Sequence, residues 1–332
     1  AITYDDLFFI AVVKSKGILK GTGFFFEVVN GRWFSHLFTC TVFAILGVHA
    51  SWYWIYLMLM MLWFVSALGG LLRSLCQHYY SFFPGIPLSF YISLTITSVL
   101  FFLLYEGRFD IWYWMSSVSM HLLSLTFLFS GFSVLLRNKK GVGPLLVMMI
   151  SFIAAGGLNE IYAIIGGLLL LIFWIGDPMP GSKFSVLRIG IAFVCLFGSL
   201  AVNLLSAGIL TRFSILPEFH VVQAMKNTLH TVLLPFFHYQ VLPLKILSSG
   251  IFICFCVFIS RSYFQKIRIR KVSILPQFIV ISGIILLSFF MASYILSDIV
   301  PYRAQSMGYL ILILFGGNYV LRQSFFSGNS GY

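Results

Sequence analysis

Residues 52–72 read WYWIYLMLMMLWFVSALGGLL, a stretch without a charged side chain. About 20 apolar residues are enough for a helix to cross roughly 30 Å of hydrocarbon. Arg73 follows the stretch, and Trp52 and Trp54 open it. Because tryptophan is enriched where a membrane meets water, the stretch has both the length and the flanks of a transmembrane helix.

The rest of the chain has the same apolar character. Hydrophobic residues make up 60% of the 332 residues and charged residues only 9%, against about 25% charged residues in soluble domains. The mean hydropathy is +1.00. We therefore predict an all-α fold, a polytopic transmembrane helical bundle of about nine spans. They are predicted at residues 52–72, 87–105, 112–136, 143–158, 161–176, 184–206, 243–260, 274–297 and 306–321.

The basic residues predict how the spans are threaded, because cytoplasmic loops carry an excess of Lys and Arg. Arg73, residues 137–140, residues 183–188, residues 261–271 and Arg322 are then inside. Of the nine acidic residues only Asp177 falls away from the outer face, where the other eight lie: Asp5, Asp6, Glu27, Glu106, Asp110, Glu160, Glu218 and Asp298. The net charge of +12 thus reflects topology and argues against a nucleic-acid partner.

The chain before the first long span has a different organisation. Residues 1–51 are predicted to be a first extracytoplasmic loop with interfacial helices, followed by the bundle at 52–332. Residues 5–16 are amphipathic, and the helix they predict is broken by Gly17, Gly21 and Gly23. Residues 33–46 form a second helix that ends at Gly47 and is too short to cross, so we place it at the headgroup level. This threading puts Ala1 outside, and we expect a transmembrane segment before it.

A second irregularity interrupts the apolar stretch at 143–176. The sequence Gly156-Gly157-Leu158-Asn159-Glu160 predicts a helix break that carries an amide and a carboxylate close to the outer face. Non-helical backbone at that depth is tolerated only where protein or a wet cavity covers it. Asn159 and Glu160 are therefore candidate site residues.

The predicted outer face collects acids and arginines from distant parts of the chain. A carboxylate can deprotonate an acceptor hydroxyl, while the guanidinium group can hold a phosphate and stabilise charge that develops on it. The set predicts a reaction between a lipid phosphate and a polar acceptor. Its members are Asp5, Asp6, Arg32, Glu106, Arg108, Asp110, Glu160, Arg212 and Arg303.

Several short motifs together carry a family resemblance that covers the whole chain as an arrangement. They are Tyr4-Asp5-Asp6, the run from Asn30-Gly31-Arg32-Trp33 to Phe34-Ser35-His36-Leu37, Arg108-Phe109-Asp110-Ile111-Trp112-Tyr113-Trp114, Gly157-Leu158-Asn159-Glu160, and an arginine in each later outer loop. The arrangement resembles the GT-C class of membrane glycosyltransferases, in particular its bacterial branches that use polyprenyl-phosphate sugars.

The resemblance implies an inverting transfer of a sugar from a polyprenyl-phosphate donor to a glycan, lipid or protein acceptor. The enzyme would lie in the cytoplasmic membrane with its site on the periplasmic or extracytoplasmic side. In this class an acid of the first outer loop is catalytic, which maps to Asp5 or Asp6, with Asp5 favoured as the base. Arg212 and Arg303 would hold the donor phosphate. The further substrate-binding residues would be Arg32, Arg108, Asp110, Trp112, Asn159 and Glu160.

No cofactor is predicted. A divalent ion bridging Asp5, Asp6 and Asp110 stays open, because some enzymes of the class use a metal to polarise the leaving phosphate and others do not. The histidines show no metal-ligand spacing, so no metal site is assigned. Membrane lipid is an expected partner, besides the donor and the acceptor.

Structural interpretations stand beside these roles. Asp5-Asp6 is also what an N-cap for a helix beginning at Leu7 requires, and Arg32 can simply anchor an interfacial helix to headgroups. Among other functions, a transporter or flippase for a lipid-linked saccharide would explain the broken helix. A polysaccharide polymerase or ligase would act on the same side of the membrane with lipid-diphosphate chains.

Overall fold

A computed structural model describes residues 4–47, 50–79, 91–92, 95–96, 99, 118–137, 139–176, 183–209 and 222–229. In these ranges the regular structure is helical, and they contain no strand. The predicted all-α fold is confirmed. The helices are α1 (Tyr4–Val28), α2 (Trp33–Leu46), α3 (Ala50–Tyr79), a π-helical turn (Val118–Leu122), α4 (Leu123–Arg137), α5 (Val142–Leu158), α6 (Glu160–Gly176) and α7 (Lys183–Leu204).

The chain divides into two compact units. The first consists of Ala1–Tyr79 and Phe109–Glu218, and the second of Tyr80–Arg108 and Phe219–Tyr332. All the named helices belong to the first unit. In the second unit Thr95 donates a hydrogen bond to the carbonyl of Tyr91, and residues 222–229 are helical.

Among the described residues, three helical stretches are long and apolar enough to cross a membrane: Trp52–Leu75, Val118–Arg137 and Val186–Leu204. Their sides expose large apolar residues such as Leu62 and Val194, which is the surface that lipid requires. The protein is therefore a membrane protein. Shorter apolar helices form at the predicted spans 143–158 and 161–176. The predicted spans at 243–260, 274–297 and 306–321, and most of 87–105, lie outside the described residues.

Helix α1 is a hairpin of two helical segments. Gly17, with φ 76° and ψ 178°, separates residues 4–16 from residues 18–28. The ring centroids of Phe8 and Phe24 are 6.3 Å apart, whereas 16 residues of straight helix would span about 24 Å. The predicted break at Gly17 is confirmed. The predicted breaks at Gly21 and Gly23 were wrong, because both lie inside the second segment, where Gly21 packs against Val12.

Helix α2 packs on this hairpin through aromatic rings. Phe25 stacks on Phe9 at 4.0 Å and on His36 at 5.4 Å between centroids, and Phe43 also faces Phe9. The helix ends where predicted, with the backbone N–H of Gly47 bonded to the carbonyl of Phe43. The small core of Val12, Val13, Phe25 and Cys40 joins the hairpin and α2 into one body.

Contacts between the long helices define two ends of the first unit. Tyr56 of α3 bonds Ser119 at 3.1 Å, while further along Ser74 of α3 bonds Ser133 at 3.0 Å and accepts from Arg137 at 2.9 Å. Helices α3 and α4 therefore run parallel. We name the end that holds Tyr56 and Ser119 the site end, and the end that holds Ser74 and Arg137 the basic end.

Helices α5, α6 and α7 alternate between these ends. At the basic end Arg188 of α7 donates to the carbonyl of Lys139, and at the other end Asn203 donates to the carbonyl of Gly156 at 2.9 Å. Helices α5 and α7 are thus parallel. Gly156 and Gly166 both approach Leu196 of α7, so α6 turns back alongside α5. The turn between them, at Asn159, belongs to the site end.

Candidate functional site

The centre of the site is an ion pair between Arg32 and Glu160. Nε of Arg32 donates to both carboxylate oxygens of Glu160, at 2.9 and 3.2 Å, and Nη1 donates to the sulfur of Met120 at 3.2 Å. The side chains are 21% and 11% exposed. Because charge-assisted bonds strengthen as water is excluded, the pair is a fixed polar feature rather than a loose surface contact.

Glu160 is placed by the helix break, which differs from the predicted one. Helix α5 continues through Gly156, Gly157 and Leu158, and the break is the single extended residue Asn159, with φ −159° and ψ 130°. Its Oδ1 accepts the backbone N–H of Ile161 at 3.0 Å. Asn159 therefore caps α6, as asparagine commonly does, and Glu160 follows as the first residue of that helix.

Arg32 is placed by the short connection between α1 and α2. Oδ1 of Asn30 accepts the backbone N–H of Arg32 at 3.2 Å and contacts Nε2 of His36 at 2.8 Å. Nε2 of His36 also faces the carbonyl of Asn30 at 3.1 Å. Both neighbours of Nε2 are acceptors, so we assign the proton to Nε2.

The environment of His36 favours its neutral form. Burial lowers the pKa of His36 from 6.5 to about 4, with the positive charge of Arg32 acting in the same direction and the bond to Asn30 opposing it. At neutral pH His36 is thus an uncharged donor. Its role here is to hold Asn30, and through Asn30 the backbone at Arg32.

The π-helical turn joins three elements of the site in three successive residues. Ser119 bonds Tyr56 of α3, Met120 contacts Arg32, and Nδ1 of His121 bonds the hydroxyl of Tyr162 at 3.0 Å. A π-turn inserts an extra residue into a helix, and such turns often occur at functional sites. Here the turn allows consecutive side chains to reach different helices.

The two opening acids occupy different environments. Asp5 is exposed, whereas Asp6 is completely buried and interacts electrostatically with Tyr53 and Tyr56 of α3. Residues 4–6 are already helical, so the alternative that this doublet caps a helix beginning at Leu7 was wrong. A series of contacts links Asp6 to the Arg32–Glu160 pair. Asp6 interacts with Tyr56, Tyr56 bonds Ser119, and the next residue, Met120, contacts Arg32.

Glycines permit the close approach of these elements. A Cβ atom on Gly31 would clash with the backbone of Asn203 in α7, and one on Gly157 would lie 2.7 Å from Nε1 of Trp33. That indole nitrogen donates to Ser199 at 3.2 Å. The connection before α2 is therefore pressed directly against α5 and α7, as small residues allow in membrane bundles.

The structure thus brings together Asp6, Arg32, Asn159 and Glu160 at one end of the first unit, with Asp5 next to Asp6. The predicted binding residues Arg108, Asp110, Trp112, Arg212 and Arg303 lie outside the described residues, and their roles stay predictions. Within the described part of the chain no group of three His, Cys, Asp or Glu could hold a metal ion. Asp110, considered above together with Asp5 and Asp6 as a ligand of a divalent ion, is not in that part.

Some site residues were missed from the sequence. Asn30 and His36 stood in the quoted motif without an assigned role. Ser119 and His121 carried a weak signal, since polar side chains inside a predicted span are costly unless they serve a purpose. Tyr56 and Met120 carried none, because both are ordinary residues of an apolar helix.

Comparisons of the chain with protein-family models, with curated proteins and with solved structures found no match.

Proposed function

We propose that this protein is a membrane glycosyltransferase that moves a sugar from a polyprenyl-phosphate donor to a cell-envelope glycan, glycolipid or protein on the extracytoplasmic side. The observation that carries the proposal is the pairing of an exposed with a buried carboxylate, Asp5 beside Asp6, at the same end as the Arg32–Glu160 pair. That arrangement offers an acid–base group open to substrate and a fixed cation at the same end of the first unit.

In the proposed reaction Asp5 accepts the proton of an acceptor hydroxyl. The hydroxyl oxygen then attacks the anomeric carbon of the donor, and the bond from that carbon to the phosphate oxygen breaks with inversion. The phosphate leaves with the bonding electrons. A base positioned in this way accelerates a reaction by about 10²–10⁴-fold, and preorganised guanidinium groups stabilise the charge on the leaving phosphate.

The exposure of the two acids divides their roles. Asp5 is open to an acceptor, so we assign it the proton transfer. Asp6 is buried against Tyr53 and Tyr56, and we assign it the positioning of the first turn of α1. Arg32 uses Nε and Nη1 in its contacts with Glu160 and Met120, and its Nη2 takes part in neither, so it can face an anion. Arg212 and Arg303 are proposed to bind the donor phosphate together with Arg32.

The orientation belongs to the same proposal. Among the described residues of the first unit the basic end carries Arg73, Arg137, Lys139, Lys140 and Arg188 with no acid. Because cytoplasmic loops are rich in Lys and Arg, this end is assigned to the cytoplasmic side of the inner membrane. The site end then faces the periplasm or extracytoplasmic space, where lipid-linked sugars would be the donors.

The test is sugar transfer by the full chain in proteoliposomes that contain labelled polyprenyl-phosphate sugars and a host envelope fraction as acceptor. Asp5→Asn is expected to lower the rate at least about 100-fold. Asp6→Asn is expected to lower it less, through misplacement of α1. Glu27→Gln removes an exposed acid from the same hairpin and is the matched control, with unchanged rate.

Full activity of the Asp5→Asn/Asp6→Asn double variant would remove the mechanism. Movement of a lipid-linked saccharide across the bilayer without a glycosidic product would replace the proposal with the flippase alternative. Turnover only with lipid-diphosphate chains would replace it with the polymerase or ligase alternative.

A further inference from the structure

We propose that the tip of the α1 hairpin, residues 14–20, docks on the anionic phospholipid headgroups of the membrane in which the protein sits. The tip has the sequence Lys14-Ser-Lys16-Gly17-Ile-Leu19-Lys20. This inference needs only the membrane location of the protein and is independent of the proposed sugar transfer.

The tip is a concentrated positive surface. Lys14, Lys16 and Lys20 are all exposed, and the seven residues contain no acid. Leu19, between them, is 78% exposed and places one large apolar side chain among the three lysines. Three ammonium groups around one protruding leucine match a bilayer surface, with its phosphates outside and its acyl chains beneath.

The acids of the hairpin lie at its opposite end and cannot neutralise this tip. Asp5 and Lys14 are nine residues apart on one helical segment, which is about 13 Å along the axis. Glu27 is seven residues beyond Lys20, about 10 Å along the other segment. These separations are at or above the screening length of roughly 8 Å at physiological salt. The hairpin is therefore acidic at its base and basic at its tip.

The hairpin also exposes large apolar side chains nearer its base. Leu7 and Phe8 are 52% and 43% exposed on the first segment. Nζ of Lys16 lies over the Phe24 ring, 5.3 Å from its centroid, which is a cation–π contact. Lysines of interfacial helices can combine such contacts to apolar groups with a charged end in the headgroup layer.

The bilayer is favoured over a soluble polyanion for two reasons. It is always adjacent to a hairpin attached to transmembrane helices, so binding needs no second molecule to arrive. A soluble anionic chain would match the lysines, but it would leave Leu19 in water. The combination of charge and apolar exposure therefore selects a lipid surface.

The experiment compares hydrogen exchange of the peptide covering residues 14–20 in two nanodiscs that hold the full chain. One contains phosphatidylcholine only and the other adds about a third phosphatidylglycerol. The first N–H groups after Gly17 lack helical partners, so their exchange reports cover by headgroups. We expect at least about threefold slower exchange with the anionic lipid, lost at high salt. The variant Lys14→Gln/Lys16→Gln/Lys20→Gln is expected to show no difference between the discs.

The matched control is Lys139→Gln/Lys140→Gln, which removes exposed lysines at the basic end and leaves the lipid effect at residues 14–20 intact. Equal exchange of the wild type in both discs would overturn the proposal. So would a lipid effect that persists in the triple variant, because the lysines would then not be its source. Slower exchange only after addition of a soluble anionic polysaccharide would assign the tip to that partner instead.

Discussion

Arg32 and Glu160 are 128 residues apart in the chain and share two bonds between one Nε and both carboxylate oxygens. Arg32 is held by two further contacts, because Nη1 donates to the sulfur of Met120 and Oδ1 of Asn30 accepts its backbone N–H. A partly buried pair is of modest net value when intact. Removal of one partner has the larger effect, because it lowers the free energy of unfolding by leaving the other charge unpaired.

The pair can be tested with a double-mutant cycle. Arg32→Gln and Glu160→Gln should each lower the free energy of unfolding in detergent by about 1–3 kcal/mol, since each leaves a charge without its partner. The double variant should cost clearly less than the sum. The measurement is the free energy of unfolding of each variant. Arg73→Gln, at an exposed arginine of α3, should change it by less than about 0.5 kcal/mol; a strictly additive cycle would show that the two groups do not interact.

The sequence predicts that Arg32 and Glu160 share the outer face, because the distribution of basic loops decides which ends of the spans are outside. It does not predict that they bond to each other. That outcome depends on the tight connection at Gly31 and on the π-turn that aims Met120 at Arg32. Both depend on packing between distant segments, and neither has a local pattern.

At the scale of single elements, the hairpin α1 shows that a single glycine can reverse the direction of the chain. Three glycines interrupt the predicted helix, yet only Gly17 has a positive φ and reverses the chain. Residues 12–13 then meet Gly21, and the aromatic rings at 8–9 meet those at 24–25. Periodicity and composition identify the apolar positions, but they do not distinguish a glycine that turns the chain from one that packs inside a helix.

Substitution separates these two kinds of glycine. Gly17→Ala should destabilise the protein by about 1–3 kcal/mol, because φ 76° with ψ 178° is strained for any residue with a Cβ. Gly23→Ala is the matched control: a Cβ there meets nothing within 4 Å, and alanine favours helix by about 0.5–1 kcal/mol over glycine. Thermal unfolding in detergent gives both values. Equal effects of the two changes would contradict the assignment of the turn to Gly17.

At the scale of the whole first unit, the direction of each helix follows from a few polar contacts. Helices α3 and α4 are parallel, with Tyr56–Ser119 at one end and Ser74–Arg137 at the other. Two parallel crossings require the connecting chain to return to the starting side. A span is predicted at 87–105 in this connection, of which the structure describes residues 91–92, 95–96 and 99 as helical. Hydropathy predicts the spans, whereas the pairing of particular helices emerges only from packing.

The charge difference between the ends makes the orientation testable. The basic end has five basic residues and no acid among the described side chains of the first unit, and the described acids Asp5, Asp6, Glu27 and Glu160 all lie at the site end. Cysteines placed at exposed positions, Glu27→Cys and Lys140→Cys, should therefore react differently with a membrane-impermeant maleimide on intact cells. We expect labelling of the first variant and labelling of the second only after permeabilisation, each above the background of the wild-type cysteines.

The reverse labelling pattern would contradict both the proposed orientation and the proposed class of sugar donor. Labelling of Lys140→Cys alone on intact cells would put the carboxylates of the site end in the cytoplasm, where activated nucleotide sugars would be the available donors instead of lipid-linked ones. The Arg32–Glu160 pair would keep its structure, since its bonds do not depend on the side of the membrane. The labelling experiment thus separates the geometry of the site, which is a property of the packed helices, from the substrate class, which depends on the compartment the site faces.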